Sequence, residues 1–216
     1  MIRVVIADDH TILREGLKQL LQATEDFEVV GEAGDGHEVL HQVRSREFDV
    51  LLLDMSMPGK SGMERIKQVK AERPKLRVLV LSMHEEHQYA VRAIRSGASG
   101  YLTKESASTQ LVTAIRKVAG GGAFISAEVA EQLALSAMPN AEGPLHGSLS
   151  DREYQVFRLL VAGEGVTQIA AQLNLSVKTV STHKARLMEK LGIDNAAELV
   201  RYALKHGLSD DPNASP

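Results

Sequence analysis

Short apolar runs and helical spacings take turns along the first 121 residues. The β-rich runs are 3–7, 27–33, 50–53, 77–81 and 100–103. The first, third and fourth are apolar almost throughout, which predicts strands covered on both faces. Between the runs, apolar residues recur at helical intervals. They are Leu13, Leu17, Leu20 and Leu21; Val39, Leu40 and Val43; Met63, Ile66 and Val69; Ala90, Val91 and Ile94; and Leu111, Ala114, Ile115 and Val118. Five strand-then-helix repeats predict an α/β fold built on a five-stranded, doubly wound parallel sheet of flavodoxin-like order.

After residue 121 the pattern changes. Gly120-Gly121-Gly122 ends the last repeat, and the Ala-rich stretch 127–137 predicts a short linker helix. Residues 138–148 hold two Pro and two Gly with no apolar period, the composition of a flexible tether. From Leu149 onward every spacing is helical. The anchors are Val156, Leu159 and Leu160; Ile169, Ala170 and Leu173; Val177, Val180, Leu187 and Leu191; and Leu199, Ala203 and Leu204. The expected layout is a first domain over 1–121, a linker over 122–147, an all-α four-helix domain over 148–208 and a polar tail over 209–216.

Composition narrows the class. The chain has 216 residues, enough for two modest cores, and no cysteine, which rules out disulfides and thiolate metal sites. Its apolar runs are too short to span a bilayer, and acid interrupts the N-terminus before a signal-peptide core accumulates. A cytoplasmic protein without membrane partners is expected. The net charge of −3 conceals an uneven distribution, since residues 177–190 carry four basic side chains and one acidic one.

Polar residues close several of the strands. Asp8-Asp9 follows the first, Asp54 the third, Ser82 the fourth and Lys104 the fifth. In a parallel sheet these ends share one edge, where such sheets bind ligands. Converging carboxylates repel one another unless a hard cation joins them, and oxygen ligands of this kind suit Mg²⁺. An ionised Asp54 needs no base to act as a nucleophile toward phosphorus. Lys104 would face the transferred phosphoryl oxygens and Ser82 would offer a hydroxyl. Each piece has a plainer reading too: an acid pair suits a helix N-terminus, and a lone lysine is usually a surface residue.

Asp8-Asp9, Asp54 with Met57-Pro58-Gly59, Ser82 and Lys104 resemble the receiver domain of two-component response regulators, over roughly residues 1–120. The resemblance implies that Asp54 is the phosphoacceptor. It also implies that Asp9 and Asp54 hold Mg²⁺ directly, Asp8 through water, and the Ser56 carbonyl as a further ligand. Ser82 and Tyr101 would form the pair that moves on phosphorylation, Tyr101 turning inward. Two positions depart from the common pattern. Met83 follows Ser82 where many receivers have a small residue, and would narrow access to Asp54. Glu105 replaces the proline that often follows the lysine, and a non-proline cis bond there would cost about 3 kcal/mol.

In the helical tail, 168–173 predicts a short helix and 177–191 a longer one, with Ser176 as its N-cap and Gly192 as its stop. Polar and basic residues fill the longer helix's outer positions, as a helix docked in the major groove requires; a solvated basic face has the same composition. Leu149-Ser150-Asp151-Arg152-Glu153, Ile169-Ala170, Ser176-Val177-Lys178-Thr179-Val180, His183 and Lys190-Leu191-Gly192 resemble the LuxR-type helix-turn-helix. By that likeness Lys178, Thr179, His183, Lys184, Arg186 and Lys190 touch backbone or flank bases. Ser181, Thr182 and Ala185 lie nearest the base edges.

Together the two resemblances imply a NarL/FixJ-type regulator rather than an enzyme. A sensor histidine kinase would phosphorylate Asp54, and a homodimer would bind double-stranded promoter DNA, with RNA polymerase a further possible partner. Two alternatives differ in chemistry. An aspartyl-phosphate phosphatase would place its nucleophile after the first strand with a second acid two residues on, a spacing absent from Asp8-Asp9-His10. In the other, the first domain only dimerises or binds protein, without phosphorylation.

Overall fold

In the computed structural model the described residues are 1–58, 60–83, 87–136 and 144–208. They belong to two compact units, Met1–Met138 and Pro139–Pro216.

The first unit carries strands β1 (Ile2–Ala7), β2 (Phe27–Ala33), β3 (Val50–Asp54), β4 (Arg77–Ser82) and β5 (Gly100–Thr103). Helices α1 (Thr11–Gln22), α2 (Gly36–Ser45), α3 (Gly62–Glu72), α4 (His87–Arg95) and α5 (Lys104–Ala119) alternate with them. All pairings are parallel, in the order β2-β1-β3-β4-β5. The chain leaves β1 toward one side and β3 toward the other, so the loops after these two strands part and open a crevice at the carboxyl edge.

Side-chain alternation divides the core into two layers. Val5, Ala7, Leu51, Leu53, Val78 and Val80 pack with Val39, Val43, Ile66, Val69, Ala90 and Val91 of α2, α3 and α4. Val4, Ile6, Val50, Leu52, Leu79 and Leu81 pack with Leu17, Leu21, Leu111, Ala114, Ile115 and Val118 of α1 and α5. Helix starts are fixed locally. Asp35 accepts from the His37 and Glu38 amides, Ser61 and Glu64 form a reciprocal cap, and Thr103 accepts from the Ser106 amide.

The first unit extends past the expected boundary at 121. Phe124 bridges alongside β5: the Tyr101 amide donates to its carbonyl at 2.8 Å, and its own amide donates to Ser99 at 3.1 Å. Helix α6 (Ala127–Ser136) then adds Val129 to the core beside α4, with Ile125 and Leu133 packed against it. The segment read as linker is therefore partly core, because its apolar residues find an uncovered side of β5. Every peptide bond described is trans, Lys104–Glu105 included.

In the second unit, Leu145–Ser148 forms a 3-10 turn rather than part of a tether. The physical reason is His146, only 2% exposed, whose amide and Nδ1 lie 3.2 and 3.0 Å from the Tyr202 hydroxyl. Residues 138–143 of the expected tether and the polar tail lie outside the described residues. Four helices follow: α7 (Asp151–Val161), α8 (Val166–Gln172), α9 (Val177–Leu191) and α10 (Ala196–Lys205). Helix α8 begins two residues before the predicted start, since the Gln168 side chain accepts from the Gly165 amide at 2.8 Å. Val156, Phe157, Ile169, Val180, Leu187, Leu191, Leu199 and Ala203 form the buried interior. Between α8 and α9, Asn174 takes φ 53°, and Ser176 caps the longer helix by accepting from the Thr179 amide. Gly192 ends it at φ 63°, a left-handed position that a side chain rarely adopts. No helix among the described residues is long and apolar enough to cross a membrane.

Candidate functional site

The acidic residues meet at the crevice. Asp54 is the last residue of β3 and Asp8 directly follows β1, and both side chains are fully buried. Potential ligand atoms of Asp8, Asp9, His10 and Asp54 all lie within 4.8 Å of one another. Lys104, at the start of α5, brings Nζ to 2.7 Å from Asp8 Oδ2 and 3.0 Å from Asp54 Oδ2. The Ser56 amide donates to Asp54 Oδ1 at 3.1 Å, so the loop after β3 turns back over its own carboxylate. Ser82, the last residue of β4, is buried, and Ser82 pairs in register with Thr103.

Charge is the organising problem of this pocket. Burial pushes the Asp54 carboxyl above its ordinary range; the Ser56 amide and Lys104 oppose that, while Asp8 adds to it. Burial also works against the Lys104 ammonium, but Asp8 and Asp54 together hold its pKa above the usual lysine value. One cation faces two buried carboxylates. Asp8 Oδ2 and Asp54 Oδ2 share that single ammonium and no other side-chain donor is placed on them. Two buried, hard oxygens that share one ammonium, beside the partly exposed Asp9, make a donor set that fits Mg²⁺, which takes carboxylate oxygens and keeps several waters.

His10 was not singled out as a site residue by sequence, though it follows the acid pair directly. Its Nδ1 lies 3.2 Å from Asp8 Oδ1 and 3.0 Å from Asp9 Oδ1. Arg65 was missed as well. It reads as one more polar residue of an amphipathic helix, yet its side chain is buried. Met83 is 70% exposed, and residues 84–86 after it lie outside the described residues. Gly59 of the Met57-Pro58-Gly59 motif lies outside them also.

Tyr101 is already covered, at 9% exposed, in the core cluster that includes Val129 of α6. A cavity of about 230 Å³ beside it is lined by Ala90, Thr103, Ser106, Phe124 and Val129. The expected inward turn thus starts from a ring already covered within that cluster.

On the second unit, α9 exposes Lys178, Ser181, Thr182, Ala185 and Arg186, with Thr179, His183 and Lys184 half-buried. The Ser181 and Thr182 hydroxyls donate to the Val177 and Lys178 carbonyls at 2.9 and 3.0 Å, and each oxygen keeps its capacity to accept. Thr179 turns toward the cap, its hydroxyl 2.7 Å from that of Ser176. Lys190 stands apart from this face. Its ammonium lies 2.6 Å from Glu153 Oε2 and donates to the Ser148 carbonyl at 3.3 Å.

Two families match these two units. Residues 4–116 match the response regulator receiver domain, and residues 147–203 match the bacterial regulatory proteins of the luxR family. The chain is a NarL/FixJ-type response regulator. This response regulator is 37% identical over 210 residues to the response regulator UvrY of Escherichia coli, with 96% of each chain covered. It is 37% identical over 211 residues to the response regulator GacA of Pseudomonas aeruginosa, covering 97% of this chain and 99% of that one. Among solved structures, RcsB of Salmonella enterica serovar Typhimurium, bound to promoter P1flhDC with the phosphomimetic BeF₃⁻, matches with a TM-score of 0.67. The identity is 33%, over 93% of this chain and 97% of RcsB. The regulator's receiver thus carries the buried acidic cluster, and its luxR-family domain carries the polar helix face.

Proposed function

We propose that this response regulator is switched by transfer of a phosphoryl group to Asp54 and, once modified, binds promoter DNA as a dimer. The observation that carries the reading is the cluster of Asp8, Asp9 and Asp54, two of its carboxylates buried and facing the single cation Lys104 at 2.7 and 3.0 Å. A sensor histidine kinase is the expected donor. The bond from its phosphohistidine nitrogen to phosphorus breaks as one from an Asp54 oxygen forms, and the freed imidazole takes up a proton. Asp9, Asp54 and the Ser56 carbonyl would hold Mg²⁺ directly and Asp8 through water. The bound ion would neutralise the charge on the transferred oxygens.

The chain's own residues do the rest. Asp54 attacks without a base, since only its ionised form is a nucleophile. Lys104 exchanges its carboxylate contacts for the incoming phosphoryl oxygens, and Ser82 donates its hydroxyl to one of them. The acyl phosphate carries up to about two negative charges where the ionised carboxylate carried one, a net gain of about one at a buried point. Turning a population from mostly inactive to mostly active takes about 5.5 kcal/mol of differential stabilisation. New bonds to Ser82 and Lys104, a shift of Tyr101, and a dimer contact would share that requirement.

The RcsB structures, solved on promoter DNA and as dimers on DNA, support extending both properties to this chain. Lys178, Lys184 and Arg186 would contact phosphates, while Ser181, Thr182 and Ala185 approach base edges. A single small domain makes few phosphate contacts and binds weakly, so paired half-sites are expected. The test is incubation with acetyl phosphate and Mg²⁺, followed by mass analysis and operator binding. Labelling at Asp54 with tighter DNA binding supports the reading. Absence of label, or equal binding by Asp54→Asn and wild type after treatment, rejects it.

A further inference from the structure

Arg65 is the bulkiest fully buried side chain described, at 1% exposed. It lies one turn into α3, between Glu64 of the helix cap and the core residue Ile66. Burying a guanidinium is costly unless its donors are used and its charge is faced. Here a single nitrogen carries most of the bonding. Nη2 donates to the carbonyls of Pro58 and Lys60 at 3.1 Å each, and to that of Met57 at 3.4 Å. Nε and Nη1 are buried without a hydrogen-bond partner. Nε lies against Gly36 at the start of α2, where an added Cβ would come within 3.1 Å of it. The charges of Asp54, Asp35 and Asp9 all act on this cation.

The three carbonyls share one location. They belong to the loop that leaves β3 through Asp54 and Ser56 and returns to α3 at Ser61. Such a loop normally turns its carbonyls to water; this one gathers three of them on one buried cation. We propose that Arg65 is a positioning residue for the phosphorylation site: its guanidinium fixes the course of the loop after β3, and with it the Ser56 carbonyl and the Asp54 carboxylate. It touches neither metal nor phosphoryl group. The same guanidinium lies beside Gly36 at the start of α2, so one buried side chain fills the space between this loop and that helix. The inference rests on the reading of Asp54 and Ser56 as metal-site residues.

Arg65→Lys separates geometry from charge, since it keeps the cation and removes the fork. Loss of the fork is expected to weaken Mg²⁺ binding about tenfold, the equivalent of roughly one charge-assisted hydrogen bond. Calorimetric titration of the full chain reads this directly. Acetyl-phosphate labelling should then need more Mg²⁺ for half its maximum rate, with the plateau rate largely kept. Arg65→Met should weaken Mg²⁺ binding too, although removing a neighbouring cation would by itself tighten it. Wild-type affinity in Arg65→Lys, with tighter binding in Arg65→Met, would make Arg65 only an electrostatic neighbour and overturn the proposal. If neither variant folds, Gly36→Ala takes their place, because its methyl, 3.1 Å from Nε, forces the guanidinium to shift while leaving the arginine present; unchanged Mg²⁺ affinity there overturns the proposal as well. A wild-type chain that takes neither Mg²⁺ nor phosphoryl group instead overturns the underlying reading of the pocket.

Discussion

Lys190, near the end of α9, reaches across to the buried carboxylate of Glu153 in the first turn of α7, with 2.6 Å between Nζ and Oε2. The same oxygen accepts from the Ser150 amide at 2.8 Å, and the Ser150 hydroxyl accepts from the Glu153 amide. A cation expected to face nucleic acid is thus neutralised within the domain. It ties the second helix of the helix-turn-helix to the cap of the domain's first.

Removing that cation should loosen the helical unit. Burial pushes the Glu153 carboxyl up, but Lys190 and Ser150 outweigh it and hold the pKa below the ordinary value. Lys190→Met leaves a mostly buried carboxylate with one partner fewer, at about 1–3 kcal/mol. Because the native pKa is lowered, this contribution is full above the unfolded carboxylate value and fades as pH falls through the native one. Hydrogen exchange of α7 and α9 amides in full-length wild type and variant, at pH 7 and in acid, measures both. Equal protection at neutral pH would show that the ion pair adds nothing.

Lys104 faces the opposite situation, one cation for two buried carboxylates. Lys104→Met should destabilise the metal-free receiver by about 3 kcal/mol, since it leaves Asp8 and Asp54 opposed. Mg²⁺ should recover part of the loss in thermal melts, yet the phosphorylation response should stay absent.

Asp54→Asn should act in the other direction. The native Asp54 pKa is raised, so its ionisation costs stability: the stability is present below the ordinary carboxylate pKa and lost as pH rises through the raised value. The amide removes that loss. Metal-free Asp54→Asn should melt higher than wild type at neutral pH, and its melting point should gain less from Mg²⁺.

On α9, Lys178→Ala and Arg186→Ala should weaken DNA binding across all sequences. Each should reduce the salt slope by about one per protomer if that residue contacts phosphate. Thr182→Ala should instead alter discrimination between operator variants, with little change in salt dependence. Fluorescence anisotropy over a salt series separates the two behaviours.

A receiver ending at residue 121 should be less stable than one ending at 136 by about 3 kcal/mol. The shorter piece lacks Val129 and the packing of Phe124, Ile125 and Leu133. Urea unfolding of the two fragments gives the difference.

The sheet was legible because buried parallel strands write themselves as continuous apolar runs, and the strand ends fell within one residue of expectation. The acidic pocket was legible for a related reason, since polar residues that end apolar strands must gather at one edge. Arg65 and the Glu153–Lys190 pair were not legible. Spacing assigns a residue to a face of its own helix, whereas these side chains are explained by groups 5 to 8 and 37 residues away. The linker misled for a third reason. Triple glycine reads as a domain end, but the apolar residues just beyond it return to cover β5.

Phe124 has a counterpart on the far side of the sheet. There the Arg46 and Gln42 side chains donate to the Val30 and Glu32 carbonyls of β2. Groups from this chain itself thus engage both outermost strands, leaving little template for a foreign strand to add to the sheet. Self-association through this receiver is steered toward helical surfaces, and strand-by-strand aggregation is discouraged while residue 124 stays in place.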